Sequence, residues 1–341
     1  MAKYRIGLSS DILKPDGTPT FDPVALKILD DDPLLEWEWF GDGKGPVTAD
    51  DVARYDGICL GAPELPGSSL GRSDARLRLV ARFGVGLDHC DVPAITAAGI
   101  LITNNPEGVR RSVASSNFAF ILALAHRIPT MDRLVRTGRW NDRMHHLGTG
   151  LAGKTLGLIG VGNTGAELFR LIRPFGMVHI AHDPFIKAAD VAPLGVTLMD
   201  LDATIAASDY LVVSCPLDEK TRGLIDARRL GLMKRSAFLV NTARGPIVDE
   251  RALYRALKDR RIAGAATDVF EQEPTPVDNP LLTLDNIIVA PHAMTYTDEG
   301  LRLLAEGGFK SARAFFNRQA PFRVVNPELL DTPALKAWFG K

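Results

Sequence analysis

The turn Gly160-Val161-Gly162-Asn163-Thr164-Gly165 limits the fold of this chain more than any other segment. It stands between an apolar strand pattern, Leu156-Gly157-Leu158-Ile159, and a helical pattern over about 164–173. A lone Gly-x-Gly-x-x-Gly says little, but at a strand-to-helix junction each glycine has a mechanical reason. The first permits a tight turn, the second lets backbone approach a bound group, and the third lets the helix lie against the strand. The helix start adds unpaired N–H groups and a partial positive charge, which suit a pyrophosphate. The next strand pattern, from Val178 to His182, ends at Asp183, 18 residues beyond Gly165. A carboxylate there accepts hydrogen bonds from ribose hydroxyls and repels a 2′-phosphate. The segment therefore predicts a dinucleotide site that prefers NAD to NADP.

Apolar runs of strand length recur along the rest of the chain. They include Ile58-Cys59-Leu60, Leu79-Val80-Ala81-Arg82-Phe83, Ile100-Leu101-Ile102, Tyr210-Leu211-Val212-Val213, the stretch from Ala237 to Asn241, and Ile287-Ile288-Val289. Continuous apolar runs read as strands buried on both faces, and the helical patterns between them predict parallel sheets covered by helices. A chain of 341 residues exceeds what one core usually serves. Turn-rich Asn104-Asn105-Pro106-Glu107-Gly108 marks one boundary, and the residues just after Pro291-His292 mark another. The last helical pattern, 297–317, has no partner in the middle segment, so it is expected to return to the N-terminal part. The expected fold is α/β, with two Rossmann-like domains built on parallel sheets. The outer domain is discontinuous, over 1–104 and 293–341, and the dinucleotide-binding domain is continuous over 105–292.

Charge and cysteine content exclude several function classes. The formal net charge is −1, so no general basic field attracts nucleic acid or an anionic membrane. No run approaches the roughly 18 apolar residues of a membrane span. The N-terminal residues lack a signal-peptide core and read as a first strand. Cys59, Cys90 and Cys215 are far apart and form no CxxC pair, which argues against disulfides and against a metal site. These features predict a cytoplasmic location.

Three later strand ends carry polar residues. The run from Ala237 to Asn241 leads into Thr242-Ala243-Arg244-Gly245. A strand from Gly264 to Phe270 leads into Glu271-Gln272-Glu273-Pro274, and Ile287 to Pro291 delivers His292. Ligands bind at the carboxyl ends of such strands. An arginine fork there suits a carboxylate, and a histidine suits proton transfer at neutral pH. A neighbouring carboxylate favours the imidazolium, and on chemistry alone Glu271 and Glu273 serve equally. The set fits reduction of a 2-keto acid by NADH. His126, His145, His146, His179 and His182 have no such company and read as structural.

At this point the residues resemble a family, the D-isomer-specific 2-hydroxyacid dehydrogenases. The resemblance runs through Arg82-Phe83-Gly84-Val85-Gly86-Leu87-Asp88, Leu151-Ala152-Gly153-Lys154-Thr155-Leu156-Gly157, the Gly-rich turn, and Pro216-Leu217 with Thr221. It continues through Met233-Lys234, the Asn241-to-Gly245 run, Asp268 to Pro274, Pro291-His292 and Val324-Val325-Asn326-Pro327. It implies that Arg244 binds the substrate carboxylate, His292 is the acid/base, and its partner is Glu273, the glutamate before the proline. Backbone N–H groups at Val85 and Gly86 complete the carboxylate site. Gly160, Gly162, Asn163, Thr164, Gly165, Asp183, Cys215, Pro216, Thr221, Thr242, Ala243 and Asp268 line the NAD site, Asp268 near the nicotinamide carboxamide. The resemblance also implies a homodimer joined through the NAD-binding domains, hinge closure over a small 2-keto or 2-hydroxy acid, and a segment 138–142 that reaches the partner subunit.

The chain departs from the family pattern twice. Ser115-Ser116-Asn117 follow Val113-Ala114 where the family usually has an acid, and Met294 stands two residues after His292 where a glycine is common. Met294 is expected in the substrate pocket, with Leu60, Gly61, Ala62 and Phe83. The competing reading is an NAD-sensing, corepressor-like protein with secondary catalysis. A formate-dehydrogenase-like reading fits less well, because Pro291 rather than glutamine precedes His292.

Overall fold

The computed structural model describes residues 3–340. The chain forms two compact units: residues up to Val109 with those from Tyr296 onward, and Arg110–Thr295. The sequence places the breaks after 104 and 292, whereas the units part after 109 and 295. Asn105 accounts for the first difference. Its Oδ1 accepts the Gly108 N–H at 2.9 Å at the start of the helix Pro106–Ala125, and its Nδ2 donates to Leu303 O at 3.0 Å. The first turn of that helix therefore stays with the first unit.

The first unit holds five parallel strands: β1 (Tyr4–Ser9), β2 (Leu35–Phe40), β3 (Gly57–Leu60), β4 (Leu79–Arg82) and β5 (Leu101–Thr103), in the order β2-β1-β3-β4-β5. On one face, Ile6, Leu8, Leu79, Ala81 and Leu101 share a core with Ala305, Phe309, Ala312, Phe315 and Phe316 of the helix Asp298–Phe316. β2 was not expected from the sequence. Its Glu36 and Glu38 break the apolar run, and on an edge strand such charges deter further pairing.

The second unit holds seven parallel strands: β6 (Thr155–Ile159), β7 (Val178–His182), β8 (Val196–Leu198), β9 (Tyr210–Val213), β10 (Phe238–Asn241), β11 (Gly264–Thr267) and β12 (Ile287–Val289). Their order is β12-β11-β10-β9-β6-β7-β8. Alternation along the strands feeds two cores. Leu156, Leu158, Val212 and Val240 meet Phe120, Ile121 and Leu124 of the long helix and Leu168, Phe169 and Ile172 of the helix Asn163–Ile172. Ile159, Leu211, Val213 and Leu239 meet Ile205, Leu253 and Leu257 on the other face. Strand order reverses on either side of β6, and the crevice at such a switch point is where open α/β sheets bind ligands. The strand expected over Gly264 to Phe270 stops at Thr267, whose hydroxyl donates to Val269 O at 2.6 Å and folds the next residues into a turn. β8, only three residues long, escaped the sequence reading. Among the described residues no helix is long and apolar enough to cross a membrane, and none group as a metal site.

Candidate active site

The Gly-rich turn leaves β6 at the switch point, and the chain's own atoms explain two of its glycines. Gly160 has φ +92°, and a Cβ there would lie 2.8 Å from Ser214 O. A Cβ at Gly165 would lie 2.7 Å from Gly160 O, so the helix approaches the turn only because glycine stands there. At Gly162 a Cβ would meet nothing within 4 Å, and no side chain caps the helix that begins at Asn163. The first N–H groups of that helix, at Asn163, Thr164 and Gly165, lack intrahelical partners. This cradle fits a pyrophosphate. At the end of β7, Asp183 Oδ2 accepts the Val161 N–H at 2.9 Å and Oδ1 accepts the Phe185 N–H at 2.9 Å. Its carboxylate is thereby held beside the turn.

The segment after β9 is closed by its own hydrogen bonds. Thr221 Oγ1 donates to Pro216 O at 2.7 Å and accepts the Asp218 N–H at 2.8 Å. Burial pushes the Cys215 thiol up to about 11, so it stays protonated at neutral pH.

β10, β11 and β12 lie side by side and parallel, so their carboxyl ends share one edge. Asn241 shapes the first of these ends. Its Oδ1 accepts the Ala243 N–H at 3.1 Å and its Nδ2 donates to Arg244 O at 3.0 Å. Half-buried Arg244 donates from Nη1 to Ala243 O at 2.7 Å. A Cβ on Gly245 would fall 1.9 Å from Phe270 C, so the arginine loop lies directly on the loop that carries the glutamates.

Glu273 Oε2 and His292 Nδ1 are 2.7 Å apart, and Glu273 Oε1 accepts the Phe270 N–H at 3.0 Å. Burial alone would raise the Glu273 carboxyl. The His292 hydrogen bond, the Phe270 N–H and the charges of His292 and Arg244 outweigh it and hold that carboxyl below the ordinary range. Glu271 turns away, and its Oε1 accepts the Glu250 N–H at 3.0 Å. His292 sits at φ +54°, and its N–H donates to Asp268 O at 2.7 Å. Buried Asp268 accepts the Ala293 N–H at 3.0 Å and the Met294 N–H at 3.1 Å. Burial raises its carboxyl above the usual range despite those bonds. Asp268 thus secures the backbone on both sides of the His292 ring.

Two supports of this edge come from the long helix and had no signal in the sequence. Ser116 Oγ donates to Met294 O at 2.7 Å, and Thr242 Oγ1 donates to Asn117 Oδ1 at 2.9 Å. Both helix residues are buried. Ser115, at the position where the family usually has an acid, only bonds back to Ser112 O at 2.9 Å. Met294 takes part through its backbone, and its side chain packs on the core of this unit. Among the other histidines, His179 is buried and His182 Nδ1 lies 3.1 Å from Met199 O.

Val85 and Gly86 belong to the first unit, in the loop after β4. Their N–H groups have no hydrogen-bond acceptor among the described residues. Leu60 and Phe83, expected to line a pocket, are buried in the cores of that unit.

Comparison with known proteins gives the family. Residues 118–293 match the family model for the D-isomer specific 2-hydroxyacid dehydrogenase, NAD binding domain. A glyoxylate reductase from Korarchaeum cryptofilum is 40% identical over 258 residues, 75% of this chain and 78% of that protein. A D-3-phosphoglycerate dehydrogenase from Archaeoglobus fulgidus is 39% identical over 249 residues, which cover 73% of this chain but only 47% of that protein. The solved structure of D-lactate dehydrogenase from Aquifex aeolicus with NAD and lactic acid is 28% identical, with a TM-score of 0.80 over 94% of this chain and 98% of that one.

Proposed function

The chain belongs to the D-isomer specific 2-hydroxyacid dehydrogenase family, and from that premise we propose that it reduces a small 2-keto acid to the D-2-hydroxy acid with NADH. The observation that carries this reading is the 2.7 Å pair of His292 Nδ1 and Glu273 Oε2, on an edge that Arg244 shares. Because Nδ1 faces the carboxylate, Nε2 is the nitrogen left for substrate. His292 Nε2 then gives its proton to the keto oxygen as that oxygen becomes an alkoxide, and Glu273 stabilises the imidazolium beforehand. Arg244 binds the substrate carboxylate and orients the carbonyl, while the Val85 and Gly86 N–H groups supply further donors. A nicotinamide cofactor held by the second unit would supply the hydride that C2 receives. Asp268 holds the His292 segment and would be the partner of a bound cofactor's nicotinamide carboxamide.

The pyrophosphate is assigned to the N–H groups from Gly162 to Gly165, and the adenosine ribose to Asp183. The Asp183 charge supports NAD over NADP. Cys215, Pro216, Thr221, Thr242 and Ala243 complete the cofactor wall. Relatives named as reductases and dehydrogenases favour the enzyme reading over NAD sensing. Ile128, Val135, Trp140, Met144 and Leu147 are each more than half exposed on a short stretch of the second unit, which supports a homodimer covering that face. A cytoplasmic location accords with the protonated, unbridged cysteines.

The deciding experiment is a panel of 2-keto acids, glyoxylate first, with NADH consumption followed spectroscopically. Turnover of one member with D-hydroxy acid as product is expected. No turnover across the panel would sink the reading.

A further inference from the structure

The loop after β4 has an unusual hydrogen-bonding arrangement. Its three successive carbonyls are all taken from the protein side. Gly84 O accepts the Asn105 N–H at 3.0 Å, Val85 O accepts Asn104 Nδ2 at 3.1 Å, and Gly86 O accepts Arg82 Nε at 3.3 Å. In a planar trans peptide the C=O and the N–H of the next residue point in opposite directions. Holding each carbonyl inward therefore turns the following N–H outward, at Val85, Gly86 and Leu87 in turn. None of these three N–H groups has an acceptor among the described residues. Val85 is exposed and Gly86 and Leu87 are half-buried, so the loop lies at the surface of the first unit. Successive outward N–H groups form a concavity that binds anions.

Two side chains maintain this arrangement. Arg82 is buried at the end of β4 and bridges two loops, since its Nη1 also donates to Gly61 O. Asn104 follows β5 and is only half-buried, and its own N–H donates to Arg323 O at 3.2 Å. A side-chain donor is needed there, because an ionised acid or an apolar residue offers no proton to Val85 O.

We propose that Asn104 and Arg82 are positioning residues for the substrate carboxylate. They orient the peptides whose N–H groups at Val85 and Gly86 receive it, without touching it themselves. The inference rests on the assignment of these N–H groups to the carboxylate made above. A carboxylate keeps its charge from ground state to transition state, so an interaction with it is largely uniform and appears in KM.

The test compares wild type with Asn104→Ala and with the isosteric Asn104→Asp, using glyoxylate and its uncharged amide as probes. For glyoxylate, KM should rise about tenfold in Asn104→Ala and further in Asn104→Asp, with kcat reduced less than about threefold. KM for the amide and the Kd for NADH should stay within about twofold of wild type. An unchanged glyoxylate KM in both variants overturns the proposal, and so does an equal rise for acid and amide, which would mark a general loosening of the loop. If wild type reduces neither glyoxylate nor any other 2-keto acid, the functional reading itself fails and this inference falls with it.

Discussion

Arg244, Glu273 and His292 illustrate how much of a side chain's behaviour is set by the backbone around it. Arg244 is held by its own loop through Asn241, and Gly245 presses that loop onto the Phe270 peptide. The guanidinium is steadied by its Nη1 bond to Ala243 O at 2.7 Å, which reduces the freedom lost on binding a planar anion. Arg244→Ala should lower kcat/KM for a 2-keto acid by roughly 30- to 5000-fold, the equivalent of about 2–5 kcal/mol for a lost charge pair. NADH affinity, measured by fluorescence titration, should stay nearly unchanged, and near-normal turnover would refute the carboxylate role. Asp183 permits a second test. Its two oxygens each accept one backbone N–H and retain lone pairs for ribose hydroxyls. Asp183→Ala should raise the ratio of NADPH to NADH use at least about tenfold, since both a repulsion and two hydrogen bonds to NADH disappear. Equal use of both cofactors by wild type would contradict this account.

At the level of elements, the active edge is a property of three neighbouring strands and one helix. β10, β11 and β12 run parallel, so residues far apart in the chain end at one place. The helix Pro106–Ala125 then ties two of those ends together through Ser116 and Asn117. β7 contributes in another way. His179 on that strand is buried against Phe169, with ring centroids 4.8 Å apart. Burial lowers its pKa below the ordinary histidine value of 6.5, so the fold prefers the neutral ring. Its contribution to stability is therefore complete above that value and is lost as pH falls below it. Thermal melts of wild type from pH 7.5 down to about pH 5 should show a decline that His179→Phe partly removes. Parallel curves for the two proteins would rule His179 out as a source of acid sensitivity.

At the scale of the whole molecule, Ile128, Val135, Trp140, Met144 and Leu147 are the exposed side chains that the proposed dimer would cover. Light scattering should give twice the mass of one chain, and the double substitution Trp140→Glu with Met144→Glu should shift it toward one chain mass. A wild-type monomer at micromolar concentration would remove the proposed dimer.

The strand-to-helix position of the Gly-rich turn, the acid after the next strand and the apolar runs of the parallel sheets were all legible in the sequence, because each depends on neighbours within a few residues. Local patterning failed at β2, where glutamates interrupt the apolar run, and at β8, which is too short to show a period. Residue chemistry by itself did not separate Glu271 from Glu273. Only tertiary structure turned one toward Glu250, 21 positions away, and brought the other to His292, 19 positions away. Likewise the pairing of Thr242 with Asn117 spans 125 positions, and the carbonyl contacts of Arg82 and Asn104 join separate strand ends. A hydrogen bond between distant segments leaves no periodic trace in sequence. The sequence by itself determined what kinds of group the chain carries and roughly where each element begins. The tertiary structure decided which of those groups face one another.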